Sequence, residues 1–165
     1  MKLSLNEIIE QPGKESPFEY DLDAASLEFI QVKAMKEPLR IKGRVRNIAG
    51  ALELTAEISA DMVCICDRCM EEYSLRKTIP VTAHLADQIC DEENSDIFLL
   101  DGSELDLDEI MTTAFVLDMD SKFVCKEDCL GLCTQCGANL NTEPCNCGDE
   151  PDPRLAALRQ LLPEE

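Results

Sequence analysis

Ten cysteines sit in this 165-residue chain, and eight of them fall into four close pairs. Cys66/Cys69 and Cys133/Cys136 are C-x2-C, Cys125/Cys129 is C-x3-C, and Cys145/Cys147 is C-x-C. The meaning of these thiols depends on the compartment. The opening "MKLSLNEIIEQPG" has no continuous apolar stretch, because Glu7 and Glu10 interrupt it, so it does not read as a signal peptide. No run approaches the roughly 18 apolar residues of a membrane span. The chain reads as cytoplasmic, where thiols stay reduced. Cysteines in such numbers there point to metal rather than to disulfides.

Zinc takes four soft ligands in a tetrahedron, and a short cysteine pair supplies two of them from one turn. The four pairs therefore offer eight ligands, Cys66, Cys69, Cys125, Cys129, Cys133, Cys136, Cys145 and Cys147, enough for two structural zinc sites. Gly137 and Gly148 follow thiols directly, where a chain wrapping an ion needs unusual backbone angles. The pairs within 133–147 can close on one ion unaided, while a site made from the other two would pin the tail to the rest of the fold. Spacing equally allows the two C-x2-C pairs to join, as in a zinc ribbon. Cys64 and Cys90 are left over and read as small core or half-exposed thiols. The alternative is an iron–sulfur or thiol redox protein. "CLGLCTQC" has the C-x3-C-x2-C spacing of radical enzymes, but those need a run of βα units, and a redox C-x2-C belongs in a βαβ context.

Fifteen basic against 34 acidic side chains give a net charge of −19. Two tetrathiolate zinc sites would take it to about −23. Such a field does not attract nucleic acid, whose binding rests on cationic neutralisation of phosphates, so any RNA contact needs a local basic patch. One exists. Between Gln31 and Arg46 there are six basic residues and one acid. On a strand, Arg40, Lys42, Arg44 and Arg46 project from one face at roughly 7 Å intervals, which suits backbone tracking. The competing reading is a solvated face. With Asn47–Gly50 as the connection, Arg44 lies opposite Glu53 and Arg40 opposite Glu57, while Lys42 and Arg46 lack partners.

Alternation over "LRIKGRV" and "ALELTAEIS" predicts an antiparallel hairpin with one buried face, and "SLRKTIPVTAHLA" a third strand, with Pro80 at an edge or break. "DLDAASLEFI" predicts a short helix, "DQICDEENSD" a solvated loop and "DIFLLDG" a short strand. "LDLDEIMTTAFVLDM" predicts a helix capped by Asp106 or Asp108, with Leu107, Ile110, Met111, Ala114 and Leu117 as its core stripe. "PDPRLAALRQLL" predicts a terminal helix with Asp152 as cap, Pro153 at its first position and a stripe of Leu155, Leu158 and Leu162. Together these give an α+β protein: an antiparallel sheet with a few helices over 1–120, and a cysteine-rich, zinc-binding tail with a terminal helix over 121–165. His84 is the only histidine, no nucleophile–base set surrounds it, and no glycine loop could cradle a phosphate. The chain therefore reads as non-enzymatic, with no small-molecule substrate.

"CDRCMEEYSL", "LDLDEI", "CKEDCLGLCTQCGANLNTEPCNC" and "DPRLAALRQLL", in that order, resemble the YceD family, the large ribosomal RNA subunit accumulation proteins, over about residues 38–162. The resemblance implies a bacterial, cytoplasmic ribosome-biogenesis factor without known catalytic activity. Its expected partners are large-subunit precursor rRNA or a basic ribosomal protein; an acidic chain is better suited to the second. It also implies that Cys66/Cys69 close with Cys125/Cys129, and Cys133/Cys136 with Cys145/Cys147.

Overall fold

A computed structural model describes residues 1–24, 27–86, 97–100 and 102–148. Strand β1 (Lys2–Ser4) and helix α1 (Asn6–Ile9) precede the strands β2 (Glu15–Leu22), β3 (Val32–Met35), β4 (Leu39–Ile48), β5 (Ala51–Ile65) and β6 (Glu72–Ala86). Short strands β7 (Ile97–Leu99) and β8 (Glu104–Asp106) lead into helix α2 (Leu107–Leu117). The expected terminal helix, the loop around "DQICDEENSD" and Cys90 lie outside the described residues.

Five strands run in the order β2-β4-β5-β6-β7. At 15 residues, β5 is longer than its partner β4, so β4 covers its first half and β3 shares the same edge further along. β1 and β8 form a separate two-stranded antiparallel sheet. The sheet is not wholly antiparallel as expected, since β7 pairs with β6 in parallel. Pro80 does not break β6. It sits in the part of the strand that β7 does not pair, where a missing N–H leaves no ladder bond unmade among the described residues.

The two periodicities meet on one face of the sheet. Leu39, Ile41 and Val45 of β4, Leu54 and Ile58 of β5 and Ile79 of β6 are buried with Leu107, Ile110, Met111 and Phe115 of α2. Asp106 is the helix N-cap, its side chain accepting from the Asp108 N–H at 3.1 Å. The expected stripe on α2 is corrected at its end. Phe115 packs inward, edge-on to Phe29, and Leu117 is exposed. Seven residues beyond Ile110 the helix has reached its last residue, and the i+4 position from Met111 is what still faces the sheet.

Two further expectations fail. "DLDAASLEFI" does not start a helix, because Asp21 and Leu22 end strand β2, paired with Arg40 and Leu39. The hairpin between β4 and β5 is tighter than expected. Its turn is Ala49–Gly50, both with positive φ (53° and 98°), and Asn47 and Ile48 belong to β4. Asn47 is buried instead, donating to the Ile8 and Ile9 carbonyls at 2.8 and 3.1 Å and accepting from the Gly50 N–H at 2.8 Å.

Candidate metal centres and the basic strand

Strand β5 ends at Ile65 and β6 starts at Glu72, so "CDRC" forms the connection of their hairpin. The Cys66 N–H donates to the Glu71 carbonyl and the Met70 N–H to the Cys66 carbonyl, both at 2.9 Å, with Met70 taking a φ of 61°. This curl points both thiols to one side. The segment after α2 is laid against it by Asp67, whose N–H donates to the Phe123 carbonyl at 2.8 Å and whose carboxylate accepts from the Phe123 N–H at 2.6 Å. Arg68 then donates to the carbonyls of Glu127 and Cys129 at 3.1 and 2.9 Å. Cys125 and Cys129 arrive beside Cys66 and Cys69 as a result.

Four sulfurs meet there. Cys66 and Cys129 lie 3.9 Å apart, Cys69 and Cys125 3.7 Å, and all four within 4.8 Å of one another. A disulfide would bring sulfurs to about 2 Å. A tetrahedron of sulfurs at the usual zinc–sulfur distance has edges of about 3.8 Å. The donor set therefore fits a tetrahedral thiophilic ion. The sulfurs also accept N–H donors, as thiolates do: Arg68 and Cys125 backbone N–H groups on Cys66, and the Asn141 side chain on Cys129, each at 3.4 Å. Burial works to raise the Cys66 thiol, but the N–H groups of Cys125, Cys69 and Arg68 outweigh it and bring its pKa to about 6. Burial and the three neighbouring thiols push Cys125 up to about 12. Protons thus concentrate on some sulfurs and leave others, a distribution an ion would replace.

The second set is Cys133, Cys136, Cys145 and Cys147, again within 4.8 Å of one another, with Cys133 and Cys145 at 3.4 Å. Its first turn closes through the Gly137 N–H on the Cys133 carbonyl at 2.9 Å. Gly137 takes a φ of 75°, as expected of a glycine following a ligand, but Gly148 is not in the positive-φ region. The N–H groups of Cys136 and Gln135, with the Cys145 thiol, bring Cys133 to about 6. The thiols of Cys136 and Cys145 push Cys147 up to about 12. These two groupings follow the pairing the resemblance implied, not the zinc-ribbon one. Cys64 is a buried core thiol outside both sets.

Arg40, Lys42, Arg44 and Arg46 are all exposed on one face of β4, as expected, but in a different register. Lys42 lies opposite Glu57 and Arg46 opposite Glu53, while Arg40 faces Ser59 and Arg44 faces Thr55. The sequence reading also missed β2 on the other side. It brings Asp21 to 3.9 Å from Arg40, Glu19 to 4.0 Å from Lys42 and Glu15 to 3.6 Å from Arg44. Sequence reasoning also missed Asp67, Arg68 and Asn141. The first two stand between the ligands in "CDRC", where polar residues are ordinary turn formers, so the sequence carries no signal of their bonds to the 123–129 segment.

The description "Large ribosomal RNA subunit accumulation protein YceD" matches residues 54–162. An uncharacterised protein of Mycobacterium tuberculosis H37Rv is 31% identical over 126 residues, covering 74% of this chain and 61% of its own length. Another from Mycobacterium leprae is 26% identical over 130 residues, covering 76% of this chain and 59% of its own. The chain thus spans about three fifths of the length of these curated relatives. The Arabidopsis thaliana protein "Large ribosomal RNA subunit accumulation protein YCED homolog 1, chloroplastic" is 33% identical over 66 residues, 38% of this chain and 21% of its own. No solved structure matches the chain.

Proposed function

The chain belongs to the YceD family, and from that premise we propose that it is a non-enzymatic, cytoplasmic ribosome-biogenesis factor supporting accumulation of large-subunit ribosomal RNA. It acts by binding, and its preferred partner is a basic ribosomal protein of the large subunit. The observation that carries this choice is the neutralisation of the basic strand. Three of its four cations have carboxylates of β2 within 4.0 Å, in a chain of net charge −19. Phosphates would have to displace those carboxylates, whereas a cationic protein meets an acidic surface without that competition. No helix among the described residues is long and apolar enough to cross a membrane.

The second reading is direct contact with precursor rRNA through Arg40, Lys42, Arg44 and Arg46. It is favoured by Arg46, which is exposed and has no ion pair among the described residues. Both readings share two structural zinc ions, one held by Cys66, Cys69, Cys125 and Cys129 and one by Cys133, Cys136, Cys145 and Cys147. Both also share a division into an α+β body over 1–120 and a tail over 121–165. The ions would fix the hairpin tip and the tail and supply no reaction. A colourless purified protein carrying two zinc ions per chain would exclude the competing class, a thiol redox or iron–sulfur protein.

Depletion of the protein in its own organism, followed by quantification of the two ribosomal RNAs, tests the proposal. Large-subunit rRNA should fall relative to small-subunit rRNA, and an unchanged ratio overturns it. Capture on the tagged protein after nuclease treatment separates the partners. A basic large-subunit protein retained without RNA supports the first reading. RNA binding that Lys42→Glu with Arg46→Glu weakens supports the second.

A further inference from the structure

The two thiol sets are alike in composition and unlike in surroundings. In the first, Cys66, Cys69 and Cys129 are buried, and the ligands come from two segments that Asp67 and Arg68 clamp together. Ligand exchange there requires the hairpin tip to part from the 123–129 segment. In the second, all four ligands lie within 133–147, and Cys136 and Cys147 are exposed. An incoming donor can reach those sulfurs with the rest of the fold intact.

Among the described residues, one side chain of the outer loop reaches a sulfur of the other set. Asn141 stands inside the second loop, between Cys136 and Cys145. Its Nδ2 donates to Cys129 Sγ of the first set at 3.4 Å, and its Oδ1 accepts from the Leu130 N–H at 3.0 Å. Asn139 holds it there, with its Oδ1 accepting from the Asn141 N–H at 3.0 Å and from its Nδ2 at 2.9 Å. The position of this donor on Cys129 depends on the shape of the loop that carries the second set. An N–H on a ligating sulfur stabilises its thiolate form, and groups of this kind alter metal affinity by about 10–100-fold.

We propose that the Cys133/Cys136/Cys145/Cys147 centre is an exchangeable site for a thiophilic divalent ion, that the Cys66/Cys69/Cys125/Cys129 centre retains its ion, and that Asn141 transmits the loading of the exposed centre to the buried one. This rests on the reading that both sets hold metal. Exchange is ligand substitution: donor atoms of an acceptor replace the thiolate sulfurs one by one, the freed sulfurs take protons from solvent, and no electrons move. An emptied outer loop no longer fixes Asn141, and Cys129 loses that donor.

The zinc-loaded full chain mixed with the chromogenic chelator 4-(2-pyridylazo)resorcinol tests this. One equivalent should leave in a resolved faster phase than the other, and Asn141→Ala should quicken the slow phase with the fast phase unchanged. Brief alkylation of the wild-type protein in chelator, read by peptide mass, should label Cys133, Cys136, Cys145 and Cys147 before the other four ligands, which keeps the test independent of how the variant folds. Two equivalents leaving in one phase, or uniform labelling, overturns the inequality of the centres. A slow phase indifferent to Asn141→Ala overturns the link. A protein isolated without metal, and taking up none, defeats the metal reading itself.

Discussion

Gly43 lies at the middle of the basic strand, facing the core beneath Lys42 and Arg44, and its replacement tests the frame that sets out those cations. A Cβ built there would stand 2.6 Å from the Ala56 Cβ, 2.6 Å from the Thr55 carbonyl oxygen and 2.7 Å from Phe18 Cζ. All three are inside normal contact. Only the Phe18 ring can turn, and it is itself buried; the other two are fixed by the β4–β5 ladder. Overpacking of this kind costs about 1–3 kcal/mol, and with two immovable neighbours we expect about 3 kcal/mol. In a chain of this length each kcal/mol lowers Tm by about 2–4 °C, so Gly43→Ala should melt roughly 6–12 °C below wild type. Thermal and urea unfolding followed by circular dichroism measure it. Gly148→Ala is the control, since a Cβ there meets nothing within 4 Å and φ is unstrained, and it should stay within about 0.5 kcal/mol. A Gly43→Ala protein as stable as wild type would mean that Phe18 does not cover Gly43. The β2–β4–β5 register that places acids beside Arg40, Lys42 and Arg44 would then be wrong.

At the turn between β4 and β5, Ala49 holds a φ of 53° that an L side chain with a Cβ resists, while asparagine tolerates it. Ala49→Asn should therefore raise stability by about 0.5–1 kcal/mol in urea unfolding, and a loss would contradict the two-residue turn. The thiols give a pH prediction. Cys66 and Cys133 are lowered to about 6, so above that pH they have already lost their protons and metal uptake has fewer to displace. Loading both centres at pH 7 should release fewer than eight protons, the number rising towards eight, with weaker binding, as pH falls below about 6. Calorimetric titration in buffers of different protonation enthalpy counts them, and eight at pH 7 contradicts the proposed stabilisation of those two thiolates.

The features legible in the sequence were those with a local cause. The solvent face of β4 followed from alternation, the Asp106 cap from its place before an apolar period, and the eight thiols from their spacing. What was missed depends on partners distant in the chain. Strand β2 carries Pro17 and follows Pro12-Gly13, so it has little strand signal of its own, and its acids matter only because it pairs with β4. The hairpin register was misjudged because Asn47 resembles a turn residue. In the fold its amide is spent on the α1 carbonyls, a bond no local pattern announces. Leu117 and Phe115 exchanged roles because hydrophobic spacing does not say where a helix stops touching the sheet. Spacing alone left the grouping of the thiols open; the resemblance implied it, and its physical cause is the meeting of the β5–β6 turn with the segment after α2.

The central claim is that these thiols form two four-sulfur metal centres, one joining the tail to the β5–β6 hairpin and one closed within the tail. Native mass measurement of the full chain, purified under reducing conditions with elemental analysis alongside, tests it most directly. Two zinc ions per chain should be found, falling to one in Cys66→Ser with Cys69→Ser and to one in Cys133→Ser with Cys136→Ser. A chain carrying no metal, or carrying iron with inorganic sulfide, would contradict the account.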